Sequence, residues 1–60
     1  MTRPILVDEI VAYDPKEPPR FRVVEIAHRK NEVKIVEVHP DGSESRYPVW
    51  VSADNVRRLK

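Results

Sequence analysis

The sequence predicts an all-β protein: a single domain over residues 1–60 forming a small five-stranded, strongly bent antiparallel barrel, with one short helical turn near the C-terminus. Three observations predict it. Runs rich in β-branched residues, "EIVAYD", "RFRVVEIAH", "EVKIVEVH" and "SRYPVWV", have the length and composition of strands rather than helices. Clusters of turn formers, "DPKEPPR", "HRKNE" and "HPDGSES", separate them at regular spacing, as in a meander. Apolar residues also fall on both parities of these runs, and a chain this short buries only about 60% of the surface it exposes when unfolded. A flat sheet of that size cannot cover two apolar faces, so it must curl on itself or be covered by something else.

The first strand is expected at 9–14, where "EIVAYD" runs into Pro15. The proline-rich "DPKEPPR" then forms a stiff connection to a second strand at 20–28. A turn centred on Lys30 and Asn31 leads to a third strand at 33–39, and this centre places Ile26 beside Ile35 and Val23 beside Val38. Asp41-Gly42 is the strongest turn signal, because glycine tolerates the positive φ that hairpin turns require. A hairpin centred there sets Val33 opposite Trp50, Ile35 opposite Pro48, Val36 opposite Tyr47 and Glu37 opposite Arg46 in a fourth strand at 45–51. The last eight residues could form a short helix with Ser52 as N-cap, but helices that short are unstable alone. A tight helical turn through "SADN" and a closing strand "VRRL" at 56–59 fit the remaining length better.

In these registers one face collects Phe21, Val23, Ala27, Val36, Val38, Tyr47, Val49 and Val51, with Glu25 and Lys34 placed to form a diagonal ion pair. The other collects Val24, Ile26, Val33, Ile35, Pro48 and Trp50. A bulge would move part of one strand between faces. The N-terminal "PILV" is a candidate cover for the Trp50 face.

Composition narrows the function. Eleven Lys and Arg against ten Asp and Glu leave a net charge of +1, too weak a field to draw in a phosphate backbone by itself. There is no cysteine, so neither a disulfide framework nor a thiolate metal centre is expected. His28 and His39 lie at strand ends without the three or four converging ligands that zinc needs. No nucleophile has a neighbouring base, so no catalytic motif, cofactor or small-molecule substrate is expected. The N-terminal apolar run is too short for a signal sequence or a membrane span, which points to a soluble, cytoplasmic chain.

"VAYDP" at Val11 to Pro15 resembles the "ALYDY" opening of the Src-homology-3-like small barrels, and "VSADNV" at Val51 to Val56 resembles their "IPSNYV" ending. The layout of strands is similar along nearly the whole chain, as it is to Tudor and KOW modules. The resemblance implies the barrel shape and a non-catalytic binding role. The adjacent tryptophan pair of the proline-binding branch is absent, so it does not extend to proline-peptide binding. "PKEPPR" is itself a P-x-x-P-x-R string of the kind such domains bind, and its plainer reading is a stiff loop.

The expected function is a non-catalytic interaction module that binds a protein partner or self-associates through an aromatic and apolar strand face. Trp50, Pro48, Ile35 and Val33 would form that face, with Arg22, Glu37 and Arg46 as its polar rim. The alternative is a nucleic-acid-binding accessory protein using Arg20, Arg22, Arg29, Lys30, Arg57 and Arg58, with Trp50 stacking on bases. Glutamates along the same strands oppose that use. An enzyme subunit whose site forms only between copies is a third class.

Overall fold

A computed structural model describes residues 5–59. Five antiparallel strands form one sheet: β1 (Ile10–Ala12), β2 (Arg20–Ala27), β3 (Glu32–Val38), β4 (Val49–Ser52) and β5 (Arg57–Arg58). A 3-10 turn at His28–Lys30 joins β2 to β3, and another at Ala53–Asn55 joins β4 to β5. The expected all-β, five-strand layout is what the chain adopts. Pro4, part of the expected N-terminal cover, lies outside the described residues.

The strand order is β4-β3-β2-β1-β5, so β4 and β5 are the two edges of the sheet. They are also consecutive in the chain. Laid flat, five strands would hold these edges about 19 Å apart. The link from Ser52 to Arg57 contains a three-residue 3-10 turn, which limits its reach to roughly 13 Å. The sheet therefore bends until both edges serve one core: Val51 of β4, Ala53 of the turn and Val56 before β5 all pack with Val11, Val23, Val33 and Ile35. Among the described residues no hydrogen-bonded pairing joins β4 to β5.

The β2–β3 register differs from expectation. Val23 pairs with Ile35 and Arg20 with Val38, then the register shifts between Val23 and Glu25, so that Ile26 pairs with Val33. The hairpin is therefore not centred on Lys30 and Asn31. The 3-10 turn takes up His28–Lys30, and Asn31 closes it in the left-handed region at φ 54°. The shift is a β-bulge at Val24, and it decides the faces. Without it, strict alternation from Val23 would turn Glu25 inward. With it, Phe21, Val23 and Ile26 all reach the core, and Glu25 turns outward to sit 3.7 Å from Lys34.

The β3–β4 register also departs, in two steps. His39 N–H donates to Ser43 O and Gly42 N–H to His39 O, so Pro40, Asp41 and Gly42 form a three-residue loop with Gly42 at φ 93°. Asp41 accepts from the Ser43 amide and hydroxyl, which hold its carboxyl below the ordinary value. Beyond the bridge Val38–Glu44, the chain leaves the ladder through Arg46, Tyr47 and Pro48. It rejoins with Ile35 opposite Val49, Lys34 opposite Trp50 and Val33 opposite Val51. Relative to expectation β4 has slipped by one residue, and a one-residue slip exchanges the faces of a strand.

Candidate functional site

That slip sets the surroundings of Trp50. Val33 and Ile35 are buried at 1% and 0% exposure, so the expected face of Val33, Ile35, Pro48 and Trp50 is split across the two sides of the sheet. Trp50 lies on the outer side, 44% exposed, with Lys34 Nζ 5.8 Å from its ring centroid, a cation–π distance. Glu25, Lys34 and Trp50 form a row across β2, β3 and β4. Of the expected N-terminal cover, the described residues do not lie over it: Ile5 packs against the core, while Leu6 and Val7 remain exposed.

The backbone of β4 is as informative as its side chains. Ala53 N–H donates to Asn31 O across the end of the β3–β4 ladder. In an antiparallel pair alternate residues face the neighbour, so Val49 and Val51 turn their amides and carbonyls to β3, and Trp50 and Ser52 turn theirs outward. Nothing among the described residues pairs with that outer side. Val49 and Tyr47 flank it at 50% and 80% exposure. An uncovered edge carrying apolar side chains is a template for another strand. The sequence reading misses Tyr47 and Val49 because its register groups them with Phe21, Val23 and Val36, on the face opposite Trp50.

The expected rim is dispersed. Arg22 donates from Nε and Nη2 to both carboxylate oxygens of Glu44, at 2.7 and 2.8 Å, and from Nη1 to Asp8 at 2.8 Å. The bond to Glu44 raises the Arg22 pKa and lowers that of Glu44. Glu37 does not meet Arg46; its carboxylate lies 3.8 Å from His39 Nδ1. Arg46 is exposed and has no partner among the described residues. Glu37 and His39 instead line an open groove of about 490 Å³ with Pro18, Pro19, Arg20, Val38 and Pro40, at the end of the sheet away from the 3-10 turns.

The expected nucleic-acid set is partly committed elsewhere. Arg20 folds back on its own loop, donating to the carbonyls of Glu17 at 2.6 Å and Pro15 at 3.0 Å, so "PKEPPR" closes on itself as a loop. Arg58 pairs with Glu9, and Arg22 is held as described. Arg29, Lys30 and Arg57 remain exposed. Tyr13 stacks edge-on against Phe21 at 5.1 Å. Among the described residues no three His, Asp or Glu side chains converge as metal ligands, and no helix is long and apolar enough to cross a membrane. Comparison of the chain with protein-family models, curated proteins and solved structures finds no match.

Proposed function

We propose that the chain is a non-catalytic protein-interaction module that docks its partner along the outer edge of β4, as an added strand. The observation that carries this reading is the uncovered β4 edge itself, with Trp50 on one side of the sheet and Val49 on the other. Main-chain hydrogen bonds from Trp50 and Ser52 would supply affinity, and the two side chains would supply selectivity. The short β4–β5 link and the shared core support a small barrel of Src-homology-3-like shape. A cysteine-free composition fits the reducing cytoplasm. The nucleic-acid alternative draws less support, because Arg20, Arg22 and Arg58 already have partners.

Panning a phage-displayed library of random peptides on the immobilised chain tests the proposal. The peptides it selects are expected to slow amide hydrogen exchange at Trp50 and Ser52, and to lose binding to Ser52→Pro. Ser52 has φ −63° and ψ 135°, so proline fits its backbone and removes one outward donor. Ser52→Ala is the control: it loses the same cap to Asp54 N–H but keeps the amide, and binding should survive. No enrichment over a blank surface, or selected peptides that bind Ser52→Pro as well as the parent, would overturn the reading.

A further inference from the structure

We infer that the occupant of the β4 edge is a second copy of this chain, paired antiparallel through β4 about a two-fold axis at Trp50. This rests on the docking reading above and names its partner. Directly opposed residues in an antiparallel pair both turn their backbones inward to the pair or both away from it. A symmetric β4–β4 pairing must therefore place its axis on a residue, not between two.

The axis at Trp50 is selected by charge. It sets Trp50 against Trp50 of the second copy, Val49 against Val51, Ser52 against Pro48, and Arg46 against Asp54. Arg46 and Asp54 are both exposed, and neither side chain has a partner among the described residues. Arg46 lies in the excursion before β4 and Asp54 in the 3-10 turn after it, just beyond opposite ends of the paired segment, and two-fold symmetry makes the pair twice. Centring on Val49 would set Asp54 against Glu44, a like-charge contact. Centring on Val51 would set Arg46 against Val56 and leave both charges unmatched.

The rest of the edge agrees with this axis. The two Trp50 residues exchange both of their outward hydrogen bonds, and each Ser52 N–H meets the carbonyl of Pro48 from the second copy. Pro48 has no amide to give in return, which limits the ladder to four bonds. Val49, half-exposed in the single chain, is covered by Val51 of the second copy. Two indole rings side by side on the outer face extend the Glu25, Lys34, Trp50 row across the axis. So short a contact falls below the about 800 Å² per partner of a standard interface, so the dimer forms reversibly as concentration rises.

Light scattering and Trp50 emission over a dilution series from about 1 μM to about 1 mM test this on the full chain. The mass should rise towards twice that of one chain, with the emission shifting to the blue as the indoles cover each other. Arg46→Asp and Asp54→Arg should each weaken association by about tenfold, because each turns two attractions into two repulsions. The double variant carrying both changes should return to within about threefold of the parent. A parent that is monomeric throughout, or a double variant no better than the singles, would overturn the second-copy assignment. If the parent is monomeric while selected peptides still bind the β4 edge, only this assignment falls; if neither binds, the docking reading falls with it.

Discussion

The two edges of the sheet are consecutive in the chain and built in opposite ways. β5 is two residues long, both arginine, and Arg58 is tied to Glu9 beside β1. Short length and charge are the devices by which sheets keep an edge from pairing. β4 is Val-Trp-Val-Ser, with no charge in the strand and a single proline just before it. Its cation, Lys34, lies on the neighbouring strand beneath Trp50 and is shared with Glu25. A bent sheet with one protected edge and one open edge therefore has a single direction in which a further strand could be added.

The largest test of that contrast is made at β4. Ile35, fully buried opposite Val49, should cost about 2–5 kcal/mol on replacement by alanine. This is much of the total stability of a 60-residue domain. Trp50→Ala should cost only about 1–2 kcal/mol, since half of the ring is in water and its cation–π contact is exposed. Urea unfolding of the two variants at low concentration would measure both. A Trp50→Ala variant as unstable as Ile35→Ala would mean that the edge is part of the core and is not open.

At β5 the expected effect is intermediate. Arg58→Ala removes the partly buried pair with Glu9 and should cost about 1.5–3 kcal/mol, as for a hydrogen bond to a charged group. Arg57→Ala, on an exposed side chain, should cost less than about 0.5 kcal/mol. Equal losses at the two positions would show that Arg58 contributes charge alone, and that the clamp on β1 adds nothing.

The smallest effect is a pH dependence near the approach to β4. Arg22 holds the Glu44 carboxyl below its ordinary value of 4.5. A carboxylate whose folded pKa is depressed adds stability above its unfolded pKa and loses it as pH falls through the folded one. Stability should therefore decline below about pH 4.5, and Glu44→Gln should flatten that decline, leaving the share from Asp41. Because Glu44 is exposed, the change is modest and screened by salt. An unchanged acid slope in Glu44→Gln would remove the ion pair from the account of how this segment is held.

Much of this fold is legible in the residues. The four β-branched runs mark the first four strands, "VRRL" marks the fifth, Asp41-Gly42 marks the hairpin, and "SADN" marks the final turn. The site was less legible, and the reason is parity. The sequence groups Val33 and Ile35 with Trp50 because a hairpin centred on Asp41-Gly42 pairs them with residues 50 and 48. The actual three-residue loop, followed by the excursion at Arg46, Tyr47 and Pro48, carries β4 one residue further. Each shift is small in sequence and complete in consequence. The bulge at Val24 works in the same way, exchanging Glu25 for Ile26 at the core.

From the residues alone come the strand count, the turn-forming segments, the absence of thiol chemistry and the need for the sheet to curl or be covered. These follow from local propensity, turn chemistry and the size of the domain. The packed fold adds that Trp50 faces outward over Lys34, that Val33 is core, and that Arg46 has no partner among the described residues. The physical reason is that side-chain direction in a sheet has a period of two. One added residue in a loop or bulge changes no local preference but reverses every side chain beyond it, and only packing against the shared core selects between the two outcomes.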